Sequence, residues 1–205
     1  FKNAGRTWRN KGIPEEFNVY DFPSLAKGKA IPYGTYDVSL NKGFVNVGIT
    51  SDTAEFAVES IRHWWKQLGK NNYPKTKELL ICADCGGSNG SRNRGWKYFL
   101  YKFAVESGLK ITVCHYPPGT SKWNKIEHRL FSFISMNWRG KPLINYQVVI
   151  NFIKSTKTNN GLKVYARLDK RQYEKGKKFL EEEINKIPLK RHDIHPQWNY
   201  SILAK

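Results

Sequence analysis

Apolar residues alternate with turn-formers near the start of the chain and then fall into helical spacing. Ala30–Val38 and Phe44–Thr50 read as two strands joined by Ser39-Leu40-Asn41-Lys42-Gly43, whose Asn and Gly suit a reversing turn. This predicts an antiparallel hairpin. After Asp52 the apolar positions Ala54, Ala57, Val58, Ile61, Trp65 and Leu68 recur at helical intervals until Gly69, which predicts a helix stopped by that glycine. Leu79–Asp84, LLICAD, is a short apolar run followed by the turn-rich CGGSNGS, as a buried parallel strand ends. A helix opened by Asn89 or Ser91 then turns Trp96, Phe99, Leu100, Phe103 and Ala104 inward, with Arg92, Arg94, Lys97 and Lys102 outward, as far as Gly108.

Leu109–His115 is the next strand, broken by Pro117 and Pro118. From about Asn124 the residues Ile126, Leu130, Phe133, Ile134 and Trp138 form the apolar stripe of another helix. A helix over Tyr146–Thr156 and an alternating edge strand over Leu162–Leu168 follow, and the charged tail beyond reads as an accessory segment. Residues 1–28, rich in Gly, Pro, Asn and charge, read as a long irregular segment in which Lys2, Arg6 and Arg9 form a solvated patch. The order hairpin, helix, strand, helix, strand, helix predicts a mixed α/β fold with an antiparallel beginning.

Composition narrows the partner. Lysine and arginine outnumber aspartate and glutamate by 35 to 17, a net charge of +18 spread along 205 residues, which points to a polyanion. A structural nucleic-acid-binding protein would carry the same charge, so charge alone selects nucleic acid and not catalysis. An aromatic content of 14% argues for a packed domain over a disordered basic arm. Three cysteines without a signal-like segment point to a reducing compartment, and no apolar run approaches membrane-spanning length.

Two acids carry the candidate chemistry. Asp84 is the first residue clear of its strand, and in open α/β sheets ligands bind at the carboxyl ends of strands. Glu127 lies in the first turn of its helix, where it also suits a capping box with Asn124. Asp84 has a comparable structural reading, as a cap for the turn after its strand. The interval between them holds a helix, a strand and a loop, enough chain to bring both acids to one sheet edge. Paired carboxylates beside a positive surface suit hard cations such as Mg²⁺ or Mn²⁺, and two such ions serve phosphoryl transfer.

Lys122, Trp123, Lys125 and Arg129 combine charge with a stacking surface, and Arg92 and Arg94 add charge on the preceding helix, a combination suited to nucleic-acid ends. Trp123 has an alternative role in anchoring its loop to the core. Asn89 and His128 are candidate orienting groups, and His115 reads as a surface residue near the site. Cys82, Cys85, Cys114 and His115 have the residue types of a zinc site, but Cys82 and Cys114 fall inside apolar strand runs, where cysteine is an ordinary small core residue. The Gly86–Ser91 stretch lacks the lysine and spacing of a phosphate-binding loop.

Cys82-Ala83-Asp84-Cys85-Gly86-Gly87-Ser88-Asn89, followed by Pro117-Pro118-Gly119-Thr120-Ser121-Lys122-Trp123-Asn124-Lys125-Ile126-Glu127-His128, resembles the ISAzo-type DDE transposases of bacterial insertion sequences. More loosely, PPGTSKWNKIEH is similar to the proline-to-glutamate signature of the Tc/mariner superfamily. Ile31-Pro32-Tyr33-Gly34, Asp52-Thr53-Ala54-Glu55-Phe56, Asn137-Trp138-Arg139-Gly140-Lys141-Pro142 and Trp198-Asn199-Tyr200 extend the resemblance over nearly the whole chain. The resemblance implies an RNase H-like three-layer mixed sheet flanked by helices, in which Asp84 and Glu127 are the second and third members of a metal-binding acidic triad. It implies two Mg²⁺ or Mn²⁺ ions, cleavage and strand transfer on transposon ends and target DNA, a homodimer that pairs two ends, and a cytoplasmic, nucleoid-associated bacterial protein. The alternative is a non-catalytic nucleic-acid-binding remnant of such a transposase.

The first acid of the triad is expected on a central strand upstream of Phe1, with Asp21 and Asp37 as the nearest but ill-placed substitutes. The piece alone is therefore expected to be inactive and aggregation-prone. Residues 1–142 are expected to form the catalytic domain and 143–205 a helix and strand extension packed on it.

Overall fold

The computed structural model describes residues 28–205. Apart from Gly28, the irregular segment expected over residues 1–28, with Lys2, Arg6, Arg9 and Asp21, lies outside the described residues. In chain order the elements are β1 (Ile31–Asp37), β2 (Lys42–Gly48), α1 (Ala54–Trp64), α2 (Lys70–Asn72), β3 (Glu78–Ala83), α3 (Arg94–Ser107), β4 (Lys110–His115), α4 (Ser132–Trp138), α5 (Tyr146–Lys154), β5 (Lys163–Asp169), α6 (Glu181–Asn185), β6 (Leu189–Arg191) and β7 (Asn199–Ile202). A π-helical turn, Trp65–Gly69, joins α1 to α2, and a second, Glu127–Phe131, leads into α4. The mixed α/β class expected from the pattern holds. Among the described residues the strands form two mixed sheets, and these residues divide into two compact units, 28–50 with 125–172 and 51–124 with 173–205.

The first unit is built on the expected hairpin. β1 and β2 pair antiparallel from Ile31↔Gly48 to Asp37↔Lys42. Their turn is held by Asp37 Oδ1, which accepts from the backbone N–H groups of Ser39 and Leu40 at 3.1 Å, and by Asn41 in the left-handed region at φ 50°. β5 adds to the other side of β2 in parallel, giving the order β1-β2-β5. Val45 and Val47 of β2, Leu130, Ile134 of α4, Val149 and Ile153 of α5, and Val164 of β5 bury their side chains together as one core. Close approach is built into the sheet's glycines: a Cβ on Gly34 would stand 2.6 Å from the Phe131 ring, and one on Gly43 would collide with Leu130.

The helical stripe expected from Ile126 to Trp138 is present, with one phase change. Leu130 and Ile134 are fully buried, while Phe131, outside the expected stripe, packs against the same core beside Ile126, Phe133 and Trp138. The cause is the π-turn, in which Ser132 N–H donates to Glu127 O; the extra residue rotates the helical turns after it.

In the second unit β3 and β4 are parallel, as expected, and the order β3-β4-β7-β6 places β7 antiparallel between β4 and β6. Ile111 and Val113 of β4, Tyr200 and Ile202 of β7, Trp96, Leu100 and Phe103 of α3, and Phe56 of α1 are buried. Complete burial of side chains of this size stabilises by about 1.5–3 kcal/mol each.

Three expectations change in this unit. β3 is an edge strand among the described residues, and its burial alternates, leaving Leu80 62% exposed and Cys82 exposed. It is therefore not the fully buried strand its apolar run implied. The α1 helix is not stopped at Gly69. It continues through the π-turn to Asn72, because Gly69 holds a right-handed helical conformation and lacks the Cβ that would collide with the Trp65 ring. Helix α3 starts at Arg94, capped by Asn93 Oδ1 accepting from Trp96 N–H at 3.2 Å, since Gly87–Asn89 form a separate 3₁₀ turn. Its end at Gly108, φ 71°, is as the pattern predicted.

Candidate functional site

Asp84 is the first residue past β3 and its side chain is exposed. It makes no hydrogen bond or ion pair with the described residues, so the capping alternative finds no support: Asn93 caps the helix after it. Glu127 opens the π-turn of the first unit, exposed, while Ile126 and Leu130 on either side hold the turn against β1 and β2. Its carboxylate makes no bond back to Asn124, which removes the capping-box alternative as well. Both acids thus present carboxylates unused by the fold. Asp37 differs, because its carboxylate is engaged in the hairpin turn.

The glycine-rich turn after Asp84 is fixed from behind by a histidine. His115, expected near the surface, is only 5% exposed at the end of β4, on the face that β4 turns to the core through Ile111 and Val113. Its Nε2 lies 2.9 Å from Asn89 O, and its Nδ1 lies 2.9 Å from Trp198 O. Both ring nitrogens face carbonyl oxygens, so a ring with one proton satisfies one of them and a doubly protonated ring satisfies both. Asn89 therefore meets His115 through its backbone carbonyl, with its side chain half-buried.

The basic and aromatic residues are displayed as expected, with one correction. Trp123 is 59% exposed, with the Lys122 ammonium 5.8 Å from its ring centroid, so it does not anchor the loop to a core. The turn beneath them is ordered by its own bonds: Thr120 Oγ1 donates to Pro117 O at 2.5 Å, and Trp123 N–H to Thr120 O at 2.9 Å. Lys122 and Trp123 lie in the second unit with Arg92 and Arg94, whereas Lys125, His128 and Arg129 lie in the first. All of these side chains are exposed. His128 offers its backbone carbonyl to the Ser132 hydroxyl at 2.7 Å.

The three cysteines are free thiols. Cys82 and Cys114 sit opposite each other in the β3–β4 register, and burial, then Cys82, raise the Cys114 thiol above its ordinary value. A raised thiol is a poorer metal ligand, and His115 already faces two carbonyls with both nitrogens. The described residues hold no cluster of three or more His, Cys, Asp or Glu side chains. Asp84 and Glu127, without partners among the described residues, offer hard carboxylate oxygens of the kind Mg²⁺ and Mn²⁺ accept. A cleft of about 360 Å³ in the second unit is lined by Asp52, Glu55, Glu174 and Lys177 among others, but Asp84 is not part of its wall.

These features, free acids at a strand end and in a helical turn on a basic mixed α/β chain, accord with the class of DDE transposase domains. The chain belongs to the Rhodopirellula transposase DDE-domain family, whose model matches residues 1–204. No curated protein and no solved structure matches it. No helix among the described residues is long and apolar enough to cross a membrane.

Proposed function

We propose that this domain cleaves phosphodiesters at insertion-sequence ends and transfers the resulting 3′-hydroxyl strand to target DNA, with Asp84 and Glu127 as metal ligands. The observation that carries this reading is that both acids are exposed and have no partner among the described residues, in a chain of a transposase DDE-domain family. When bound, two Mg²⁺ or Mn²⁺ ions supply activation of the attacking oxygen and stabilisation of the leaving one. The chain's own residues do the rest. Asp84 and Glu127 hold the ions, and the Gly86–Gly90 turn is kept in place by His115. Lys122, Lys125, Arg129, Arg92 and Arg94 neutralise phosphates, and Trp123 offers a face for a base at the DNA end. Asn89 and His128 serve as orienting groups.

We further read the fold as RNase H-like, with residues 1–142 as the catalytic domain and 143–205 as an extension that supplies β5, β6 and β7. β1 and β3 are edge strands of their sheets among the described residues, and an additional strand bearing the third acid would find a free edge on either. DNA is the partner, two copies of the protein pair the two transposon ends, and the bacterial nucleoid is the place of action.

The test is strand cleavage of terminal-repeat DNA by the intact transposase. Asp84→Asn and Glu127→Gln are each expected to abolish Mg²⁺-dependent nicking while DNA affinity stays within about threefold, because affinity comes from phosphate neutralisation and not from the acids. Full cleavage in either variant would remove that acid from the site. Binding without cleavage in the unmodified protein would favour a non-catalytic remnant.

A further inference from the structure

We propose that Arg94, Lys97 and Arg191 form a phosphodiester-binding patch around Tyr200 on the second unit, holding the backbone of a DNA strand at the end of the sheet that carries Asp84. The proposal rests on the reading of this chain as a DNA-acting domain and extends the Arg94 surface to Lys97 and Arg191, which its sequence did not single out as nucleic-acid contacts. Lys97, counted among the outward residues of α3 by periodicity, is half-buried, with its ammonium 5.6 Å from the centroid of the Tyr200 ring. Arg191 stands directly opposite Tyr200 in the β6–β7 register, so the two side chains share a face, and its Nη1 donates to Pro196 O at 2.8 Å. Arg94 lies one turn before Lys97 on the same helix.

None of the three cations has an ion-pair partner among the described residues, although other basic residues of this unit do: Arg62 and Lys66 meet Glu106, Lys110 meets Glu78 and Lys177 meets Glu55. Burial first, and then the neighbouring charges of Arg191 and Arg94, lower the pKa of the Lys97 ammonium. A phosphate oxygen supplies the missing negative charge, and an arginine fork suits it.

The patch also lies at the productive end of the sheet. β6 runs parallel to β3 and β4, since both β4 and β6 are antiparallel to β7, so Arg191 and Asp84 are at the same, carboxyl, end. Helix α3 begins there too, directly after the Asp84 turn. By register Arg191 is level with Ile81, three residues before Asp84, so three strand spacings across and three residues along separate the two backbones by roughly 17 Å. That equals about five base-pair steps of duplex axis, close enough for one DNA segment to touch both.

The experiment is equilibrium binding of a labelled duplex of terminal-repeat DNA to the full chain in EDTA, across a salt series, so that metal-dependent chemistry plays no part. The variants are Lys97→Gln with Arg191→Gln, the conservative Lys97→Arg, and Lys75→Gln with Lys77→Gln at the opposite end of β3 as a charge-matched control. The patch predicts that the slope of log affinity against log salt shrinks by about 2 in the first double variant. It stays unchanged in Lys97→Arg and in the control. An unchanged slope in the first double variant, or an equal loss in the control, would overturn the patch. Neither result bears on the acids, which are judged by cleavage. A patch that binds in EDTA alongside Asp84→Asn or Glu127→Gln proteins that still cut would leave the patch standing and remove the metal assignment.

Discussion

At His115 two carbonyl oxygens converge on one imidazole, and the side chain bridges the Asn89 turn and the Trp198 carbonyl. His115→Leu removes the buried ring that faces both Asn89 O and Trp198 O, and loss of whichever hydrogen bond the ring donates costs about 1–3 kcal/mol. Trp198 O keeps the His115 backbone N–H at 3.2 Å in either case. A thermal-unfolding midpoint lowered by several degrees, about 2–4 °C per kcal/mol at this size, is the expected result, with partial recovery in His115→Gln. No change in midpoint would mean the turn does not depend on the ring. The sequence did not expose this role, because residues next to a proposed site read as surface when their strand parity is unknown. Asp84 and Glu127 were legible for the opposite reason: an acid directly after an apolar run, or at a helix start, stands out in composition. Trp123 shows the limit, since a lone tryptophan in a basic loop fits an anchor and an exposed platform equally well until its exposure is known.

Elements were legible where periodicity was long. The hairpin, α3 and its Gly108 stop, α5 and β5 all lie close to where the pattern puts them, because each buries one face or stripe over several residues. Local deviations from period were not legible. The π-turns at Trp65–Gly69 and Glu127–Phe131 each add a residue to the helical ladder; Gly69 in the first reads as a stop, the second has no Gly or Pro at all, and there Phe131 packs against the core outside the expected stripe. β6 and β7 span only three and four residues, too short for alternation to register, and they exist through pairing, β7 with β4 and β6 with β7. The α1 to α3 packing gives a prediction of its own. Glu106 on α3 accepts from Lys66 and Arg62 of the α1 segment, and these contacts, the Lys66 hydrogen bond foremost, hold its carboxyl below the usual glutamate value. A depressed carboxyl stabilises the fold above its unfolded value near 4.5 and loses that contribution as the pH falls through the lowered one. The side chain is 42% exposed, so after solvent screening the amount is below about 1 kcal/mol. Urea unfolding of Glu106→Gln is expected to show a small deficit at pH 7 that shrinks as the pH falls from about 4.5 through the lowered value; a deficit undiminished in acid would place the effect in packing instead.

For the whole molecule, the mixed α/β class follows from the order of strand-like and helix-like runs, whereas the division into two sheets does not, because sheet membership is decided by long-range pairing that no local pattern carries. Net charge told of a polyanionic partner but not of where it sits; the Lys97 and Arg191 cluster depends on β6 reaching β7. The proposed function requires that Asp84 and Glu127 serve one metal centre. Mn²⁺ binding followed by electron paramagnetic resonance, on the intact transposase with terminal-repeat DNA, tests it through a double-mutant cycle of Asp84→Asn and Glu127→Gln. One shared centre predicts that each single variant weakens Mn²⁺ binding roughly tenfold or more and that the double variant is scarcely worse than either. Losses that add in the double variant, or Mn²⁺ binding unchanged by both substitutions, would contradict it.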